Sequence, residues 1–488
     1  MCAERRGLDQ AEFEAIVDAK AIAIIGASSN PESLSGRPIG YLRQHRYDGR
    51  IYPVNPARDE IQGLKAYPSI TDVPEQVDLA MVAVRAELVP SALRDCVEAG
   101  VKVAIIVSSG FGEGGLGSGS DSGSGSGSAE RSGEGDTLRE EVLRIIAGAD
   151  LRVIGPNCEG VWSLPNRMPF TFSPVADTEK TGRSLIAGDV AVVSHSGGLA
   201  FAVAQWGLES GIGFNYVFSM GNEIDLDALS VAEAVLERDD LGTLVLLVQA
   251  LDDHQRVVRL GSRAHELGKH LVTAKLGRSA PGKRAALRHT LHDAGDTAAY
   301  DALFEEAGIH QVLDEDDLVD TVQILSKGRP MAGRRVAIVA TSGGAGVWLA
   351  DACDAVGLEI PVLSDGVQQA IAEHMPGYGA PQNPVDLTAQ FLTGGEFAKV
   401  LAAICASGEV DAIVIATSLA AAGRLDHQRD GLAEVMATYD TPLVMFSYTT
   451  PAPSNVEILQ ELNIPYFVTS RRAAHAVARL ARAGEPLP

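Results

Sequence analysis

The sequence predicts an α/β protein made of several doubly wound, mostly parallel sheets, and three observations carry that expectation. Short apolar runs of strand length recur along the 488 residues. Most of them end in turns of glycine, serine and asparagine, and a helix-like segment follows each turn. One such unit repeats, as VAVVSHSGG at 190–198 and VAIVATSGG at 336–344, so the second and third parts of the chain are expected to be related folds. The length suits about three domains.

The first domain is expected over residues 1–165. The run KAIAII at 20–25 reads as a strand ending in Gly26-Ala27-Ser28-Ser29-Asn30-Pro31, with a helix beginning near Pro38. Unpaired N–H groups and the helix dipole make such a turn a phosphate cradle. A nicotinamide-dinucleotide site is the rival reading. It is disfavoured because the turn lacks GxGxxG and the next strand, Arg50 to Val54, runs into Asn55-Pro56 rather than an acid for a ribose diol. Strands at Val77 to Val84, Val101 to Val107 and 151–157 continue the sheet, the first leading into Arg85-Ala86-Glu87. Within this domain the Gly/Ser run at 112–136 cannot bury a core and is expected to be a flexible surface insertion.

The second domain is expected over residues 180–328. Its strand at Asp189 to Val193 meets Ser194-His195-Ser196-Gly197-Gly198 and a helix from Leu199, an oxyanion site with side-chain donors. His195 reads as a polar loop residue, since nothing nearby in sequence suggests a base for it, and Phe201 as a candidate pocket-lining residue. Strands follow at Phe214 to Phe218, Leu244 to Val248 and Leu271 to Leu276. The last enters a stretch of glycines and cations (Gly277, Arg278, Gly282, Lys283, Arg284, Arg288), read as a solvent-reaching loop that carries His289; a helix then starts at Asp296 or Thr297. Imidazole is a competent nucleophile at neutral pH, and the cations would draw in an anion such as phosphate. From this stretch alone His289 is either a transiently phosphorylated nucleophile or an ordinary surface histidine. The third domain, 333–488, repeats the Ser/Gly turn at Thr341 to Val347.

The formal charge of −24 argues against nucleic acid or an anionic membrane as partner. Five scattered cysteines (Cys2, Cys96, Cys158, Cys353, Cys405) show no metal-ligand spacing, so no metal site and a reduced compartment are expected. The first twenty residues have no apolar signal core, and no run approaches the ~20 apolar residues of a membrane helix. A cytoplasmic protein is the expectation.

The series IIGASSNP, YPVNP, GPNCEGV, VVSHSGG, SMGNEID, KLGRS, RHT, TSGGAGV and NPVDLT, in this order over about residues 20–488, resembles the nucleoside-diphosphate-forming acyl-CoA synthetases. More narrowly it resembles the α-type chains of ADP-forming acetate–CoA ligases, relatives of the succinyl-CoA synthetase α subunit. The resemblance implies a CoA-binding Rossmann-like domain followed by two flavodoxin-like domains. It implies coenzyme A held around Gly26, Ser28, Ser29, Asn30, Asn55, Arg85 and Glu87, with Asn157 near the thiol end. It implies phosphate on Ser194, Ser196, Gly197 and Gly198, and phosphoryl transfer through His289. The substrates would be a small carboxylic acid or its acyl-CoA. ATP or ADP with Mg2+ would sit on a separate ATP-grasp β-type subunit, since no stretch here is left over to form that fold, and an oligomer is expected. Two departures bear on the relay. Thr290 is followed by Leu291 where the family has glycine, and Gln249 stands where the family has a glutamate that supports the phosphohistidine; Glu223, Asp252 and Asp253 are candidate substitutes. The alternative is a CoA- or acyl-CoA-binding sensor or scaffold without phosphoryl transfer.

Overall fold

The computed structural model describes residues 6–111, 127–290, 293–389 and 396–485, without the side chains of 127–134 and 288–290. The apolar runs become central strands. Ala21–Ile25, Leu79–Val82 and Val103–Ile106 bury every residue, as parallel strands covered by helices on both faces must. By contacts the chain falls into two units, Met1–Asp314 and Glu315–Pro488.

The first unit holds two sheets. In one, the parallel strands lie in the order Arg50–Val54, Ala21–Ile25, Leu79–Val82, Val103–Ile106, Arg152–Ile154. The other runs His310–Val312, His270–Lys275, Thr243–Val248, Val190–Ser194, Phe214–Ser219, and then the antiparallel pair Gly160–Ser163 and Met168–Thr171. The chain therefore joins the second sheet before residue 165. Ile24, Met81 and Ile105 of the first sheet share one core with Val193, Phe218 and Leu246 of the second. Where the chain enters the last strand of the first sheet, Arg152 is 5% exposed. Its guanidinium binds Asp225 in a fork at 2.9 and 3.1 Å and reaches Glu12 at 3.2 Å. Among buried charges a fork of this kind gives the strongest pairing geometry.

The second unit holds the sheet Val385–Asp386, Val336–Ala340, Ala412–Thr417, Leu443–Ser447, Tyr466–Phe467. The helix Glu315–Lys327 belongs to this unit and packs on Ser470–Ala483, with Arg472 forked onto Asp320 at 2.7 and 2.8 Å. In all three sheets the parallel strands run, in chain order, second, first, third, fourth, fifth. This doubly wound order puts a ligand crevice outside the carboxyl ends of the first and third strands. The repeat read between 190–198 and 336–344 is thus a repeat of one topology.

Two expectations are corrected. Residues Ala280–Thr290 are helical, so the backbone of His289 lies in the last turn of a helix and not in a loop. Pro281 suits a first helical turn, and the Lys-Arg-Ala-Ala-Leu-Arg that follows consists of strong helix formers; composition alone had suggested a loop. The Gly/Ser run also gives way to helix at Gly127, the start of Gly127–Ile146, so 127–136 is not loop. Residues 112–126, 291 and 292 and the side chain of His289 lie outside the described residues. Among the described residues no helix is long and apolar enough to cross a membrane.

Candidate active site

The first site lies at the carboxyl edge of the first sheet. Gly26 has φ +87°, and a β-carbon on it would come 2.5 Å from the Ala83 carbonyl oxygen. The turn can therefore lie close to the neighbouring strand only with glycine at this position. Ser28 Oγ accepts the Asn30 N–H at 3.1 Å, and Asn30 Oδ1 accepts the Glu32 N–H at 3.0 Å. Asn55 Nδ2 donates to the Ala27 carbonyl at 2.9 Å. Of the expected coenzyme residues, the structure thus brings the Gly26–Asn30 turn and Asn55 together. Gln62, which the sequence reading missed, donates from Nε2 to the Ser28 and Gly36 carbonyls, each at 3.0 Å. Arg85 and Glu87 are exposed beside the third strand, around the short helix Ala86–Leu88.

Asn157 links this edge to the second sheet. It has φ +58°, its Nδ2 donates to Asn222 Oδ1 at 3.3 Å, and the Asn222 N–H donates to the Pro156 carbonyl at 2.9 Å. Gly221 is glycine because a β-carbon there would meet the Pro156 oxygen at 2.1 Å. The loops 155–158 and 220–224 interlock.

The second site sits at the switch point of the second sheet, between the strands Val190–Ser194 and Thr243–Val248. Ser196 heads the helix Gly197–Glu209 and makes no side-chain cap, so the first-turn N–H groups gain no capping bond from it. Ser194 does not face outward as expected. Its buried Oγ donates to the Ser196 carbonyl at 2.8 Å and accepts the Ser196 N–H at 3.0 Å. It shapes the turn, leaving Ser196, Gly197 and Gly198 as the outward-facing set. Phe201 is fully buried against Trp162, with ring centroids 6.3 Å apart, and exposes no surface towards the site.

His195 has partners that the sequence did not reveal. It is buried, with Nε2 3.2 Å from Glu223 Oε1, while its Nδ1 accepts the Gln249 N–H at 3.2 Å. Burial opposes charge on the ring, but Glu223, with Asp227 and Asp252 farther off, raises its pKa above the ordinary histidine value. The Gln249 N–H on Nδ1 leaves Nε2 as the place for a single ring proton, in front of Glu223. Glu223 also accepts the Ala228 N–H at 2.7 Å, which commits it to its own loop. Asp253 caps the helix His254–Glu266 through the Arg256 N–H at 3.0 Å.

Gln249 is fixed from a second side. Lys275, 4% exposed at the end of the adjacent strand, donates to the Gln249 and Leu276 carbonyls at 2.6 and 2.7 Å. Its ammonium lies 4.6 Å from the centre of the Tyr300 ring. The Tyr300 hydroxyl accepts the Leu251 N–H at 2.8 Å. Burial, with Lys283 and Arg278 adding repulsion, lowers the Lys275 pKa to about 8. Three elements converge on residues 249–251: the turn of His195, the strand of Lys275 and the helix of Tyr300. A cationic side chain at a strand end, as Lys275 is in KLGRS, was the signal available in the sequence.

A carboxylate lies over the serine-glycine turn. A β-carbon on Gly197 would come 2.6 Å from Cγ and 3.2 Å from Oε1 of Glu159. In the second unit the same relation recurs, since a β-carbon on Gly343 would come 2.8 Å from Asp386 Oδ2.

Comparison with known proteins agrees with this architecture. A CoA binding domain model matches residues 20–163, a succinyl-CoA ligase like flavodoxin domain model 187–325, and a ligase-CoA domain model 336–421. The α subunit of ADP-forming acetate–CoA ligase I from Pyrococcus furiosus is 31% identical over 382 residues, 77% of this chain and 76% of that one. ADP-forming acetate–CoA ligase I from Archaeoglobus fulgidus is 30% identical over 95% of this chain, which spans 62% of that relative's length. The solved structure of Ca. Korarchaeum cryptofilum dinucleotide forming acetyl-coenzyme A synthetase 1, in complex with phosphate and ADP, matches with a TM-score of 0.83 and 27% identity over 97% of both chains. These matches define a protein assembled from the domains of CoA ligases. The chain belongs to the ADP-forming acyl-CoA synthetase family.

Proposed function

We propose that this chain is the α-type part of an ADP-forming acyl-CoA synthetase, an acid–thiol ligase that interconverts acyl-CoA, phosphate and ADP with acid, CoA and ATP. One observation carries the reading: the Ser196-Gly197-Gly198 helix head and Gln249 occupy adjoining strand ends at a topological switch point. Coenzyme A would lie along Gly26, Ser28, Ser29, Asn30, Asn55, Arg85 and Glu87, its thiol directed towards Asn157. A phosphate oxygen would attack the thioester carbonyl and release the CoA thiolate. The imidazole of His289 would then take phosphorus from the acyl phosphate, freeing the carboxylate, and yield it to a terminal oxygen of ADP. Two transfers let one site exclude water while another binds nucleotide. The relative solved with phosphate and ADP supports both ligands. A separate ATP-grasp β-type subunit would hold the nucleotide and its Mg2+.

The test is labelling of this chain with radioactive ATP in the presence of an ATP-grasp subunit. An acid-labile phosphoprotein that disappears in His289→Asn is expected, and a signal unchanged in that variant refutes the assignment. A second reading, a CoA sensor without phosphoryl transfer, is favoured by the neutral Gln249. It predicts CoA binding by calorimetry with no turnover over a panel of acids despite a verified partner.

A further inference from the structure

Glu159 is placed with care for a residue on the rim of an anion site. Its N–H donates to Ser219 Oγ at 2.9 Å, and its carbonyl accepts the Thr171 hydroxyl at 2.6 Å and the Phe172 N–H at 3.4 Å. These bonds pin the backbone while the side chain leans over Gly197 and Gly198, with Oε1 at 3.2 and 3.6 Å from the β-carbons those glycines lack. A carboxylate and a tetrahedral dianion would compete there for the same helix head. We propose that the Glu159 carboxylate holds ground that an anion oxygen takes at the head of the helix Gly197–Glu209, so that phosphate binds with uptake of one solvent proton by Glu159. The protonated acid then donates its O–H to the anion instead of repelling it, and mass and charge balance through that proton.

The surroundings of Glu159 suit this linkage. Burial raises its pKa, and the Ser173 hydroxyl offsets part of the rise. No cation pairs with it among the described residues. His195, in the facing turn, is directed to Glu223 and Gln249. Arg37, on the helix Arg37–Gln44, is directed to the Phe172 carbonyl at 3.3 Å. Ser219, behind the backbone, is uncharged. The proposal rests on the reading of the serine-glycine turn as the phosphate site.

Calorimetric titration of the full chain with sulfate tests it, because sulfate carries no titrating proton between about pH 6 and pH 9; inorganic phosphate is run in parallel. Wild-type affinity for sulfate is expected to fall by about tenfold per pH unit once Glu159 has lost its proton. Glu159→Gln should bind with little pH dependence and more tightly than wild type at the alkaline end. Glu159→Ala gives a second variant, and coenzyme A binding reports folding of both. Equal pH slopes in wild type and variants overturn the proposal alone. Failure of every form to bind sulfate or phosphate, while all bind coenzyme A, overturns the phosphate reading of the turn and the proposal with it.

Discussion

Glu223 Oε1 stands 3.2 Å from Nε2 of His195, and the opposite ring nitrogen accepts the Gln249 N–H. One imidazole thus joins three loops of the second sheet: the serine-glycine turn, the 220–225 loop and the residue beside the third strand. Both side chains are buried, so the pair has little water to fall back on. A double-mutant cycle with His195→Phe and Glu223→Gln should give a coupling energy of about 0.5–3 kcal/mol by denaturant unfolding. Strict additivity would mean that the two side chains ignore each other.

Lys275 sets a pH dependence whose sign can be worked out. Its folded-state pKa, near 8, is depressed from 10.5. The charged form is therefore disfavoured by folding, the stabilising contribution is present above the unfolded pKa, and it is lost as pH falls through about 8. The full difference corresponds to about 3 kcal/mol. Relative to Lys275→Met, wild type should gain stability between about pH 8 and pH 10.5. A stability difference that stays constant over that range contradicts the buried, lowered amine.

Arg152 fastens residues near the start of the described chain to the sheet through Glu12 and to the 220–225 loop through Asp225. Arg152→Met leaves Asp225 without the cation it is forked to, and leaves Glu12 with only the more exposed Arg6. A loss of about 3–5 kcal/mol is expected in chemical denaturation. The replacement Arg152→Lys should recover only part, because one ammonium cannot reproduce the fork.

Gly26→Ala should weaken coenzyme A binding by at least about tenfold. The new methyl group must displace the Ala83 carbonyl or the turn itself, and φ +87° is unfavourable for alanine. Calorimetry on a variant with an unchanged melting temperature isolates the effect on binding. Undiminished affinity would move the coenzyme away from this turn.

Gln249→Glu places a charge at the position where the resemblance implies a glutamate. Charge-assisted hydrogen bonds are roughly twice as strong as neutral ones. If His289 carries phosphorus, the lifetime of the acid-labile phosphoprotein should rise by up to about tenfold, a difference of about 1.4 kcal/mol. An unaltered lifetime would show that residue 249 does not meet the phosphorylated ring.

Much of the framework could be read in advance because a parallel strand buried on both faces must be a continuous apolar run, as AIAII and VAVVS are. The glycine-serine turns were legible for the same local reason. The helix at 280–290 was not, because glycines and cations at its start resemble a loop until Pro281 and the alanines are weighed as a first turn and its continuation. Phe201 was misjudged because a helix beside a site has a core face as well as a site face. Glu159 gave one visible signal, a charge within the otherwise uncharged motif GPNCEGV, but its target is distant in sequence.

By itself the sequence determined the three doubly wound sheets, the repeated serine-glycine unit and the family, since these depend on local pattern and on motifs in order. Only the tertiary structure decided that Ser194 turns inward, that His195 meets Glu223, that Lys275 grips the Gln249 carbonyl and that Glu159 overhangs Gly197. Each of these is a contact between strand ends far apart along the chain, and it exists because sheet order, not sequence distance, brings those ends together.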